Sequence, residues 1–316
     1  MKKIIFIFIV TMLFSCKSNY TRIGDKDANY IPYYIKVYEA DSLYIIGNYE
    51  KSFRILDSLF KKYEPLNQNR NTLYLCEFEK YIKLKYKLNK PINKKEFEKL
   101  ITKFGYLPST IKDNKELSEI KEKLKLNDLE INKFFKIYLG TIDYILRSEV
   151  KEIEKADQEC RRAMRKNKDI SKNQYFFDKI TETDSINNIK IKKIFEKYHG
   201  YPYPKYTGNS MIEENKYDIY VYMNTSILHQ CSNGKTYERG FYLNFLYNEL
   251  KKGKYDPVEY AICYDRINLN KESETFLFSD SKNKEKLSNE EKNKVNSIRK
   301  KHGIFSIEYQ IMKSNL

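Results

Sequence analysis

Residues 40–65 read ADSLYIIGNYEKSFRILDSLFKKYEP, and this stretch decides the fold class. Upstream and within it, Val37, Ala40, Tyr44 and Gly47 recur at helical spacing and lead into Asn48, a natural turn residue. Downstream, Phe53, Leu56, Leu59, Phe60 and Tyr63 line one face of a second helix with 3.6 residues per turn. Pro65 cannot donate the amide that the next turn needs, so the helix stops there. Two amphipathic helices joined by a tight turn must bury their apolar stripes against something, and the nearest surface is each other.

The helical pattern continues outward. A second pair is predicted over Asn71–Leu88 and Asn93–Phe104, broken at Asn89-Lys90-Pro91. Gly105–Asn114, with Pro108 and polar residues, is the best linker. Helices resume over Lys115–Leu124, Leu129–Leu139, Thr141–Lys168 and Asp184–His199, the last stopped by Gly200 with Pro202 and Pro204 beyond it. Tyr217–Cys231, Tyr237–Lys252 and Pro257–Leu269 follow, with Asp256 as N-cap and Pro257 in the first helical position. Ser288-Asn289-Glu290-Glu291 is a capping box opening a charged helix that closes at His302-Gly303. Then Phe305, Ile307, Tyr309 and Ile311 alternate with Ser306, Glu308 and Gln310, the period of a half-buried strand, with Thr275–Phe278 as its partner.

The order Ala40, Gly47-Asn48-Tyr49-Glu50-Lys51-Ser52, Leu56, Leu59, Pro65 resembles one tetratricopeptide unit. In that family a small residue followed by G-x-Y-x-x-A lets two antiparallel helices approach closely. Here Ser52 stands where the alanine belongs and Pro65 falls one place late. A generic helical hairpin fits the same residues. Two such units are too few for a free-standing solenoid, so this region is expected to pack on the rest.

The amino terminus reads as a processing signal. Lys2 and Lys3 precede Ile4–Phe14, apolar apart from Thr11. As a helix that run covers about 16 Å, roughly half a bilayer core, too short to span. It has the proportions of a signal-peptide core. Leu13-Phe14-Ser15-Cys16 resembles the lipobox of bacterial lipoproteins, which implies cleavage before Cys16 and a diacylglycerol thioether on its sulfur. Phe14 is bulkier than that pattern prefers. Lys17 is not the aspartate that commonly retains such proteins at the inner membrane, so the resemblance favours the outer membrane. Ser18–Asn29 reads as a flexible tether.

The formal net charge is +16, falling by two when Lys2 and Lys3 are removed. Such charge could bind nucleic acid or anionic lipid, but lysines are spread along the chain and mixed with glutamate, and arginine is scarce, so the charge reads as a compositional bias and no nucleic-acid partner is expected. Beyond Cys16, Cys76, Cys160, Cys231 and Cys263 could form two disulfides in an oxidising compartment. Their wide spacing in helix-like runs reads more simply as small buried apolar residues.

Function shows where a charge sits on an apolar stripe. In Thr141–Lys168 the stripe runs Ile142, Ile145, Leu146, Val150 and Ile153 into Asp157, Cys160 and Met164, with Arg161 in reach of Asp157 at i,i+4. At Pro257–Leu269, Val258, Ala261 and Ile262 lead to Asp265, with Arg266 beside it. Asp184, Asn187 and Asn188 open a third stripe shared with Ile191, Ile194, Phe195 and Tyr198. His229 shares a face with Tyr222 and Thr225. If the stripes converge, Asp157, Asp184, Asp265 and His229 could hold a divalent metal, orient a histidine base, or form a self-satisfied polar network. Tyr201, Tyr203 and Tyr206 form either a ligand lip or a packed connector. No Walker loop, HExxH, GxSxG or dinucleotide fingerprint occurs, and the sequence names no cofactor.

From about Ile153 to Phe278 the chain resembles the bacterial domain-of-unknown-function family 6624. The matching pieces are Asp157-Gln158-x-x-Arg161, Asp184 with Asn187 or Asn188, the run Ile194–Pro202, His229, Leu250–Gly253, and Tyr260-Ala261 with Asp265-Arg266. It departs in two places: His199 is inserted before the glycine, and Tyr206-Thr207-Gly208 replaces the usual Val-Gly. The resemblance implies no activity, but it marks Asp157, Gln158, Arg161, Asp184, His229, Asp265 and Arg266 as motif positions, most of which the stripes select independently.

The expected organisation is therefore a signal peptide (1–15), a lipidated tether (16–30), a tetratricopeptide-like helical region (31–105), connecting helices (106–145), the unknown-function domain (146–280) and a C-terminal helix and strand (281–316). The fold class is mainly α, with a small β element at the C-terminus. Three functions are open: an envelope lipoprotein that binds a protein partner or small ligand, an envelope hydrolase with an Asp/His cluster, with or without a metal, and a structural envelope component.

Overall fold

A computed structural model describes residues 20–67, 75–202, 204–209, 221–233, 236–268 and 287–315. Cys16 and the leader lie outside the described residues, as do Tyr203 and Thr275–Phe278. Among the described residues there are fifteen helices and no strand, so the chain is mainly α. An isolated bridge pairs Thr21 with Tyr63. No helix of the described residues is long and apolar enough to cross a membrane.

α1 (Ile31–Ile45) and α2 (Tyr49–Phe60) pack together across a turn in which Gly47 takes φ +79°. Ser52 Oγ donates to Ala40 O at 2.7 Å, and both residues are buried. A larger side chain at either position would push the helices apart. α3 (Glu77–Lys87) and α4 (Lys94–Thr102) are separated by left-handed Asn89. Asn93 opens α4 with a reciprocal capping box to Glu96, satisfying amides that the first turn leaves open. α5 (Pro108–Asp113), α6 (Lys115–Lys123) and α7 (Asp128–Leu139) follow, with Asn114 and Asn127 as side-chain caps of the last two.

The longest helices come next: α8 (Tyr144–Lys166), capped by Asp143, and α9 (Asn173–Lys197). Then come α10 (Pro204–Thr207), α11 (Asn224–Asn233), α12 (Thr236–Lys251) and α13 (Pro257–Asn268). Asp256 Oδ1 accepts from Val258 N and Glu259 N at the start of α13, and Pro257 occupies its first turn. α14 (Asn289–Lys301) opens on the Ser288 capping box, and α15 (Ile307–Ser314) ends the described chain.

One core runs through these elements, and it is rich in tyrosine. Tyr30, Tyr33 and Tyr34 are fully buried. Tyr34 OH donates to Leu250 O at 3.0 Å, fastening α1 to the end of α12. Phe305 and Tyr309 pack their rings on Tyr38. A buried phenol keeps a hydroxyl to satisfy, so each of these rings fixes an orientation as well as excluding water.

Four expectations are corrected. The residues after Phe305 form α15, not a strand: Ser306 Oγ accepts from Tyr309 N, and a short apolar run does not distinguish the two periods once a cap is present. Tyr20–Asn29 is pinned rather than free, with Gly24 N donating to Lys252 O and Thr21 N to Lys62 O, each at 2.8 Å. Gly105–Asn114 is not an open linker, because Pro108 starts α5 and Ile111 is buried. Ile145 is 71% exposed and lies off the stripe of Leu146, Val150 and Ile153. A fifth difference concerns length: α9 begins at Asn173 rather than Asp184. Its first turns carry no buried stripe, so they leave no periodic trace in the sequence.

Candidate functional site

Asp157 sits on the buried face of α8 with no exposure, one turn beyond Ile153. An ionised carboxylate there needs donors, because desolvation otherwise costs several kcal/mol. It has three. Arg161 Nη1 donates to Oδ1 at 2.8 Å, Gln158 Nε2 donates to Oδ2 at 2.7 Å, and His229 Nδ1 lies 2.8 and 3.0 Å from the two oxygens. Arg161 then reaches across to α9, where Nη2 is 2.8 Å from both oxygens of Asp184. One guanidinium thus bridges two helices and two carboxylates, using the planar fork that lysine lacks.

α11 supplies the remaining wall. Its Gln230 Nε2 donates to Asp184 O at 2.9 Å, and the Ser226 amide donates to Glu154 Oε1 at 3.0 Å. Asn187, on α9, donates to Ile153 O at 3.2 Å. Burial pushes the Glu154 carboxyl up to about 8; the Ser226 amide opposes this, and the nearby Asp157 charge adds to it. Glu154 is therefore largely protonated at neutral pH and contributes no full charge to the cluster.

The carboxylate of Asp157 accepts only, so Nδ1 of His229 must carry a proton in this arrangement. That fixes the ring and leaves Nε2, which has no partner among the described residues. The His229 side chain is 22% exposed, against 0% for Asp157 and 11% for Arg161. An imidazole held by a buried carboxylate, with its second nitrogen turned toward the edge of the fold, can accept or donate a proton or hydrogen-bond a ligand.

The other sequence candidates sit elsewhere. Asn188 faces α12, donating to Glu238 Oε1 at 2.6 Å and accepting from Tyr242 OH at 2.8 Å. Asp265 is buried but makes no hydrogen bond or ion pair with Asp157 or His229. Its charge is felt by Arg299 of α14, whose guanidinium burial lowers to about 10 and Asp265 partly restores. Arg266 is exposed and points away from the buried face of α13. The expected convergence of Asp265 with the other acids is therefore not found. Sharing an apolar stripe fixes burial along one helix, but it does not fix which neighbouring helix that stripe faces. Among the described residues no group of three or more His, Cys, Asp or Glu side chains is arranged to hold a metal ion. The four cysteines after Cys16 are free thiols, with Cys231 and Cys263 buried.

Residues that sequence reading missed are Glu154, Ser226, Gln230 and Glu249. Glu154 precedes the stripe aspartate by three residues, so its burial was readable from helical spacing. Glu249 was not readable. It accepts from Tyr201 N at 2.8 Å and pairs with Lys252 and Lys254 at 2.9 and 3.1 Å, seating the Gly200–Pro202 connector. Gly200 takes φ +137°, and a Cβ there would lie 2.4 Å from Glu249 Oε2. Tyr201 is buried with its hydroxyl donating to Asn224 Oδ1, which makes it part of a packed connector rather than an open lip. A cavity of about 180 Å³ lined by Pro108, Ile111, Lys112, Lys121, Asp128 and Ile131 includes none of the cluster residues.

Set against protein-family models, curated proteins and solved structures, the chain finds no match in any of the three.

Proposed function

We propose that this chain is a lipid-anchored protein of the cell envelope whose helical body holds a protein partner or a small ligand through the Asp157–His229 cluster. The observation that carries the binding role is the oriented imidazole. Asp157 fixes Nδ1, Nε2 has no partner among the described residues, and the side chain is 22% exposed. The envelope location rests on the Lys2–Cys16 signal and its lipobox-like end, with the outer membrane favoured by Lys17. The close contact of Ser52 with Ala40 supports a tetratricopeptide-like hairpin at α1–α2, a common dock for peptides by fold-level analogy. The resemblance to the unknown-function family is supported by the meeting of its motif residues Asp157, Gln158, Arg161, Asp184 and His229.

The test is capture of the lipidated protein from membranes, compared with a His229→Ala variant at a temperature where unfolding curves show both proteins folded. Loss of a specific partner supports the reading; an identical set of co-purified molecules refutes it. Mass spectrometry of the amino-terminal peptide checks the anchor separately: a bare Cys16 sulfur, or an intact leader, refutes the envelope assignment.

A second reading is an envelope hydrolase in which His229 Nε2 is the general base. It is favoured by the same carboxylate–imidazole pair, which resembles the base-and-orienter arrangement of acyl-transfer enzymes. Hydrolysis of ester or amide probes by the purified protein, abolished in His229→Ala, supports it, and no hydrolysis above the buffer rate refutes it.

A further inference from the structure

α8 and α9 are 23 and 25 residues long, yet between Gln158 and Thr183 no described side chain is buried. Arg161 and Asp184 cross-link the pair at its neck, and beyond that neck the two helices run on as a hairpin. The turn at its end is well built. Asn167 caps it through Asp169 N and O, at 3.1 and 2.7 Å, and Asp169 Oδ1 accepts from Ser171 N and Oγ. This is a formed projection, and its composition differs from the body.

Six exposed cations lie between residues 162 and 179: Arg162, Arg165, Lys166, Lys168, Lys172 and Lys179. Within that span the acids are Asp169 and Asp178, and Lys179 also pairs with Glu182 at 2.8 Å. Asp169 is engaged by Ser171 and Lys172, and Asp178 by Gln174 at 2.8 Å. Arg165, Lys166 and Lys168 form no ion pair among the described residues, whereas lysines of the body such as Lys80, Lys83, Lys85 and Lys103 each meet a carboxylate. Three of the chain's ten arginines fall at 161, 162 and 165. Beside this charge stand three consecutive aromatic residues. Tyr175 is 59% and Phe177 50% exposed, and Phe176 is partly covered by the Tyr175 ring at 5.4 Å.

We propose that the tip of the α8–α9 hairpin docks on an anionic lipid surface. Cations clustered against phosphate headgroups supply attraction, and exposed rings settle at the headgroup boundary, where an apolar body and a phenolic hydroxyl are both satisfied. An acidic protein would answer the charges but would also need a pocket for rings displayed on a narrow convex tip. A lipid interface accepts them without one. The lipid expected at Cys16 is not required for this docking.

The test is co-sedimentation of the full chain with vesicles of phosphatidylcholine alone or with phosphatidylglycerol added. The apolar leader or its lipid contributes equally to every variant, so differences report the tip. Wild type should bind the anionic vesicles at least about tenfold more tightly at low salt, given roughly one order of magnitude or less per surface cation. The preference should fade at high salt. Arg165→Glu/Lys166→Glu/Lys168→Glu should abolish the preference. Tyr175→Ser/Phe177→Ser should weaken binding at unchanged charge. These positions are exposed, so thermal unfolding should not move, which separates lost docking from lost folding. Equal binding of wild type and the charge-reversed variant to anionic vesicles overturns the proposal. So does a charge-reversed variant that keeps its vesicle binding but loses an acidic protein partner.

Discussion

Two buried carboxylates, Asp41 and Asp157, solve the same problem in different ways. Asp41 of α1 meets Lys80 of α3, Lys313 of α15 at 3.1 Å and Tyr309 OH at 2.6 Å. Its partners are flexible point charges whose side chains remain 16% and 20% exposed. Burial and the Asp41 charge together raise the Tyr309 phenol far above its ordinary value, so it remains a donor. Asp157 is instead held by a rigid fork, an amide and an imidazole, and the fork is shared with a second carboxylate. The first site fastens distant ends of the chain. The second also fixes a titratable ring at the edge of the fold, which a purely structural clamp does not need.

The largest separation between them should come from deleting the acids. Asp157→Ala leaves Arg161 overcharged for its surroundings and His229 without its acceptor, and should cost about 3–5 kcal/mol. Asp41→Ala should cost less, about 1.5–3 kcal/mol, because Lys80 and Lys313 can swing into water. Chemical unfolding of the two variants measures both; equal losses would erase the contrast.

A smaller effect should follow at the neck. His229→Ala removes one partly exposed hydrogen-bond partner and should cost about 1–2 kcal/mol, measured by the same unfolding curves. If it costs as much as Asp157→Ala, the ring is a structural member rather than a displayed one.

A further contrast is one of pH. Glu154 has its carboxyl raised to about 8 in the folded chain, from an ordinary 4.5. The folded state therefore binds more protons than the unfolded one between those values, so stability falls as pH rises through that window. Below pH 4.5 both states are protonated and nothing is lost. Glu154→Gln keeps the acceptor for the Ser226 amide and removes the titration. Its midpoint for unfolding should change less between pH 5 and 8 than that of wild type, as thermal scans across that range would show.

Much of the helical order was legible. The capping residues Asn93, Asn114, Asp256 and Ser288 act on their own neighbours, and local hydrogen bonding is a property of a few consecutive residues. The pairing of Asp157 with Arg161 was legible for the same reason, since four residues on a helix share a face. Asp265 shows the limit. Its burial follows from its stripe, but whether it meets Asp157 depends on how α13 packs on α11 and α12, and no local pattern carries that angle. The alternation after Phe305 misled because Ser306 caps a helix there, and the Tyr309 hydroxyl finds Asp41 only in that helix.

By itself, then, the chain of residues determined that this protein is helical, where most helices begin and end, and that Asp157, Asp184 and Asp265 would be buried. These depend on contacts between residues a few places apart. Only the folded arrangement decided that Asp157 would meet His229, 72 residues away, that Asp265 would not, and that the α8–α9 hairpin would project uncovered beyond its ionic neck. Those outcomes depend on the relative rotation and overhang of packed helices, which the summed core fixes and no single segment encodes.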